Sequence, residues 1–131
     1  MLYRDGYKYQ LAAHEYFQTS FTPATKISVP RITLYPDGVM LVHEGYAWDG
    51  ASGIVDRKTN LRASCGHDAL YQLMRMEVLP YSEWAKADAD FCRWLAEAGA
   101  YALTIKIDRY GLSLFKGKYA RPENRKKIFI A

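Results

Sequence analysis

The sequence predicts an α+β fold, a small antiparallel sheet in the N-terminal third packed with two antiparallel helices at about 60–77 and 82–98. Three observations carry this expectation. Short alternating segments surround a Pro-Asp-Gly turn, two longer segments with helical apolar spacing follow, and a glycine-rich loop at 45–53 separates the two patterns. A single domain over 1–131 is expected, because 131 residues, half of them apolar, supply one core of ordinary size. The charged fraction, 24 %, is that of folded soluble domains and excludes wholesale disorder.

In the first third, Tyr7, Tyr9, Leu11 and Ala13 alternate with Lys8, Gln10, Ala12 and His14, the period of a half-buried strand. A second extended piece, Ile27-Ser28-Val29, stops at Pro30, which lacks the amide that an interior strand needs and so places the piece at an edge. The hairpin is clearest where Ile32-Thr33-Leu34 and Val39 to His43 flank Tyr35-Pro36-Asp37-Gly38: proline presets the turn and glycine takes the positive φ. The chain holds eleven tyrosines, whose rings cap a small core while their hydroxyls seek water or a partner.

The stretch Gly45-Tyr46-Ala47-Trp48-Asp49-Gly50-Ala51-Ser52-Gly53 reads as a loop. Its glycines serve the turns of a strand-to-helix connection, or they let the backbone approach a ligand or cation, with Asp49, Gly50 and Ser52 as the residues that would meet it. It matches neither a phosphate-cradling loop nor the calcium loop of an EF-hand.

The first helix is expected to begin at Thr59 or Asn60, both good caps, and to end before Leu79-Pro80. At 100° per residue, His67 shares a face with Ala63, Leu70 and Met74, with Tyr71 slightly to one side, while Asp68 turns toward Leu61 and Arg75. The second helix is expected to start at a Ser82 cap and to present Trp84, Ala87, Phe91, Leu95 and Ala98 until Gly99 closes it. Asp88 falls inside that apolar stripe and Asp90 points to solvent. A carboxylate in an apolar stripe needs a partner, so Asp88 is expected to meet His67 across the two helices. Such a pair either joins the helices or fixes one imidazole nitrogen so that the other serves as a base, with Tyr71 beside it. For Asp68, an ion pair to Arg75 or a capping role competes with ion coordination. After Gly99, Tyr101, Leu103, Ile105 and Ile107 fit a strand as well as a third helix.

Composition narrows the function classes. The segment from Ile105 to the end carries +6 and the remainder −2, and its last part, the basic arm at 116–131, contains Lys116, Lys118, Arg121, Arg125, Lys126 and Lys127. Nucleic acid or anionic lipid could be held there by charge alone, without a recognisable reading module, so both rank below protein partners and homo-oligomers. Cys65 and Cys92 lack C-x-x-C spacing and read as reduced core thiols, and His14, His43 and His67 do not give a zinc ligand set. No leader-like apolar region follows Met1, and the run Val39-Met40-Leu41-Val42 is far too short to cross a bilayer, so the cytoplasm is the expected location.

Asp49-Gly50-Ala51-Ser52, then Gly66-His67-Asp68-Ala69-Leu70-Tyr71, then Ala87-Asp88-Ala89-Asp90-Phe91 together resemble the motifs D-G-A-S-x-P, G-H-D-x-L-Y and A-D-x-x-F. These belong to the bacteriophage and prophage family called domain of unknown function 1353. The chain departs from them at Gly53-Ile54-Val55, where the family commonly has proline. The resemblance implies a phage gene in the company of tail or lysis genes, and brings no established reaction. The His-Asp segment is also similar to that of secreted phospholipase A2, which pairs a calcium loop with a helical His-Asp and a supporting Asp from the next helix. That similarity implies loop carbonyls from Tyr46, Trp48 and Gly50, calcium at Asp68, His67 as base and Asp88 as its support. Cys65 stands two residues before His67 instead of three, and the dense disulfide framework is missing.

The first expectation for function is therefore a virion-associated structural protein, of the tail, bound to other virion proteins, with the His-Asp pair as a structural junction. The alternative is a small phage hydrolase acting on the cell envelope, with a His67–Asp88 dyad and calcium as a cofactor.

Overall fold

The computed structural model describes residues 3–4, 9–50, 60–113 and 120–122. It has the predicted α+β architecture: seven short strands followed by three helices. The described residues up to Asp49 belong to one compact unit and those from Gly50 onward to a second.

The strands of the first unit form two antiparallel sheets where a single one was expected. One contains β1 (Tyr3–Arg4), β2 (Tyr9–Leu11) and β7 (Ala47–Trp48), in the order β1-β2-β7. The other contains β3 (Glu15–Gln18), β4 (Ile27–Val29), β5 (Ile32–Leu34) and β6 (Val39–Val42), in the order β3-β6-β5-β4. The division has a local cause. Ala47–Trp48, inside the stretch read as a loop, is extended and pairs with Tyr9 and Gln10, and the Trp48 ring packs 5.4 Å from that of Tyr9. Tyr7 and Lys8 of the long predicted strand lie outside the described residues; of the rest, Tyr9–Leu11 is extended, and a bend at Ala12 and Ala13 separates it from β3, which the weak alternation of Glu15 to Gln18 did not announce.

The predicted hairpin joins β5 and β6, with Leu34 opposite Met40. Gly38 N–H donates to Tyr35 C=O at 3.0 Å, and Val39 N–H donates to the Asp37 carboxylate at 3.1 Å. Gly38 has a φ of 91°, and a Cβ there would stand 2.8 Å from Thr19 O, so both the conformation and the space demand glycine. β4 lies at the sheet edge as Pro30 requires. Leu11, Phe17, Phe21, Ile32, Leu34, Met40, Val42 and Trp48 fill the core of this unit.

The second unit contains α1 (Leu61–Arg75), α2 (Trp84–Glu97) and α3 (Ala102–Ser113). α3 resolves the segment for which strand and helix were both open. Thirteen of the fifteen α1 residues are buried, so this helix is enclosed on nearly every side. α2 packs against both α1 and α3. Asn60 holds the N-cap position of α1 without a side-chain capping bond. Ser82 does not cap α2; it lies in a 3-10 turn, Tyr81–Glu83, because extended Pro80 leads into a tight turn before the α-helix begins at Trp84. Two residues assigned to the α2 stripe lie at its margins, Trp84 half-buried and Ala98 exposed. Among the described residues no helix is long and apolar enough to cross a membrane.

Candidate functional site

His67 and Tyr71 are four residues apart on α1, so they project one turn apart from the same face, toward α2. Asp88 comes from the first half of α2. His67 Nε2 lies 2.6 Å from Asp88 Oδ1, and the Tyr71 hydroxyl donates to the same oxygen at 2.7 Å. The imidazole packs against two rings, with the Tyr71 ring centroid at 4.1 Å and the Phe91 ring at 5.3 Å in an edge-on arrangement. His67, Tyr71 and Asp88 are 6, 5 and 8 % exposed, respectively. The contact between the helices is thus a nearly dry, hydrogen-bonded cluster in an aromatic setting.

A carboxylate oxygen that receives the Tyr71 hydroxyl is an acceptor, and so it takes the Nε2 proton of His67 as well. That assigns the tautomer: in neutral imidazole the proton sits on Nε2 and the lone pair on Nδ1. Nδ1 makes no hydrogen bond among the described residues, and it is not one of the fully buried polar atoms that lack a partner.

Burial, and then the charge and hydrogen bond of Asp88, hold the Tyr71 phenol far above its ordinary value, with Arg75 opposing. Tyr71 therefore acts as a neutral donor that secures Asp88. Cys92, one turn beyond Asp88 on α2, is a free thiol. Burial pushes it up; Arg109 opposes this and Asp88 and Asp108 reinforce it, so it is not an activated thiolate.

Asp68 takes a different direction, as the helical spacing predicts: its Oδ1 lies 3.8 Å from Arg75 Nη2, and Arg75 is itself 1 % exposed. A guanidinium beside the carboxylate opposes a cation there. Among the described residues no group of three or more His, Cys, Asp or Glu side chains is placed to hold a metal ion. Among the described residues it is the Arg75 guanidinium that stands at Asp68. Asp49 is exposed at the end of the first unit, whereas Gly50, with a φ of 85°, is buried at the start of the second. Ser52 lies outside the described residues. So do Lys116, Lys118, Arg125, Lys126 and Lys127; Arg121, of the same basic arm, is exposed.

Asp90 corrects an expectation. It was placed in solvent, yet it is 1 % exposed, with its carboxylate 3.0 Å from Arg93 Nη1. The apolar spacing of α2 carries no sign of a second buried carboxylate; Arg93 three residues on was the available signal. Phe91, whose ring meets the imidazole edge-on, is legible in the sequence only as core. Comparison with protein-family models, with curated proteins and with solved structures gives no match.

Proposed function

We propose that the protein is a small hydrolase in which His67 is the general base and Asp88 its support. The carrying observation is the asymmetry of the imidazole: Nε2 is bound to Asp88 at 2.6 Å while Nδ1 is left without a hydrogen bond among the described residues. In this reading Nδ1 takes a proton from water as the water adds to an ester or amide carbonyl. The imidazolium so formed is stabilised by Asp88, and it returns the proton to the leaving group. Tyr71 keeps Asp88 in place. The low exposure of the cluster strengthens the charge interaction that forms during the step. The motif resemblance supports a phage origin, and the lysis genes in whose company it places the gene support a bacterial envelope substrate.

The test is turnover of phospholipid and of peptidoglycan by the wild type, His67→Asn and Tyr71→Phe. Loss of the base is expected to lower the rate by about 10²- to 10⁴-fold, with a far smaller effect for Tyr71→Phe. Equal rates in wild type and His67→Asn, or no turnover by either, overturn the reading.

A second reading, a virion-associated structural protein of the phage tail, has one observation in its favour. All three members of the cluster are at most 8 % exposed, as in a joint that serves only to lock two helices. It requires the chain to be present in purified particles; its absence by mass spectrometry counts against it.

A further inference from the structure

α3 is built inside out relative to a helix that only completes a core. Its single carboxylate, Asp108, is 0 % exposed, whereas Leu103, Ile107 and Tyr110 are 70, 58 and 67 % exposed. Tyr101, immediately before the helix, is 83 % exposed. Leu103, Ile107 and Tyr110 are spaced four and three residues apart, so they occupy one sector of about 60°, and Asp108 lies about 130° from its centre. From Ala102 to Tyr110 the other exposed side chains are Ala102, Lys106 and Arg109. The outward face is therefore apolar and aromatic with a cationic flank, and it shows no negative charge. Among the described residues, four of the seven large exposed hydrophobic side chains belong to this short segment, so the apolar surface is concentrated there.

We propose that α3 is a docking element for an anionic lipid surface. Twelve residues make a helix about 18 Å long, too short to span a bilayer but long enough to lie in its interface. In that position Leu103 and Ile107 enter the acyl boundary, Tyr101 and Tyr110 sit at headgroup level, and Lys106 and Arg109 meet lipid phosphates. Charge selects this occupant over a second copy of the chain. A two-fold pairing of this face would bring together two copies of a surface that carries Lys106 and Arg109 with no carboxylate on it to answer them. The surplus of positive charge in the sequence from Ile105 onward favours the same surface.

The full chain is tested by flotation with vesicles of phosphatidylcholine alone and of phosphatidylcholine with phosphatidylglycerol. Binding is expected only to the second, weakening as salt is raised. Leu103→Gln with Ile107→Gln, both at exposed helical positions, is expected to lower partitioning at least about tenfold, and Lys106→Glu with Arg109→Glu to abolish the preference for anionic lipid. Absence of binding to either vesicle, or binding that the Gln pair leaves unchanged, overturns the proposal. So does a dimer in sedimentation that the same pair dissolves, which would assign the face to self-association. His67→Asn is expected to bind vesicles like the wild type, so this result and the hydrolase reading fail separately.

Discussion

At the scale of single residues, Asp88 is the pivot, because one of its oxygens serves two donors. Asp88→Ala leaves the Nε2–H of His67 and the hydroxyl of Tyr71 without their acceptor in a nearly dry space. The expected loss is about 3 kcal/mol of stability, read from urea denaturation, whereas Asp88→Asn, which keeps an acceptor oxygen, is expected to lose clearly less. Tyr71 supplies a pH signature. Its folded value is raised, so above the unfolded value, about 10, the native state holds a proton that the unfolded chain releases. Its contribution is fully present below that pH and is lost as the pH rises beyond it. Wild-type stability is therefore expected to fall more steeply than that of Tyr71→Phe between pH 10 and 11.5, by up to about 1.4 kcal/mol per pH unit. Parallel curves would show that the phenol is not held protonated. The His67–Asp88 contact was legible in the sequence because a carboxylate within an apolar stripe demands a partner. Tyr71's bond to the same oxygen was not, since helical spacing gives a direction but no distance.

At the scale of elements, α1 and α2 end in the same way with different residues. Beyond α1, Glu77 N–H donates to Met74 C=O and Val78 N–H to Leu73 C=O; beyond α2, Gly99 N–H donates to Ala96 C=O and Ala100 N–H to Leu95 C=O. Both are Schellman ends, and both place one residue at positive φ, 61° for Glu77 and 85° for Gly99. Glycine meets that demand without strain, while glutamate carries a Cβ penalty. Glu77 is exposed, so Glu77→Gly is expected to stabilise the protein by about 1 kcal/mol, raising the urea midpoint with an unchanged m-value; a lowered midpoint would refute this account of the α1 end. The sequence pointed to Gly99 as the end of α2 because glycine is the usual residue there. It offered no such sign at Glu77, where Pro80 three residues on was the only marker. Ser82 misled for a related reason: it suits an N-cap, but Pro80 commits the chain to a 3-10 turn first.

At the scale of the molecule, the second unit is graded outward from its most enclosed helix. α1 is buried on nearly every side, α2 buries one face, and α3 leaves Leu103, Ile107 and Tyr110 exposed. Hydrogen exchange is expected to follow that order: the central amides of α1 exchange only with global unfolding, and those of α3 exchange through local opening at far lower free energy. Comparable protection of α1 and α3 would contradict the gradient.

The α+β class, the hairpin around Gly38, the edge position of Ile27–Val29 and the pairing of His67 with Asp88 were determined by the sequence itself. Each rests on a local rule, whether the period of burial, the φ a turn requires, a missing amide or a charge in an apolar stripe. Only the tertiary structure decided that Ala47–Trp48 is a strand, that Asp90 is buried on Arg93, that Tyr71 shares the oxygen of Asp88, and that α3 turns its carboxylate inward and Leu103, Ile107 and Tyr110 outward. These depend on which surfaces meet, and a one-dimensional pattern of polar and apolar residues specifies the faces of an element but not what covers them.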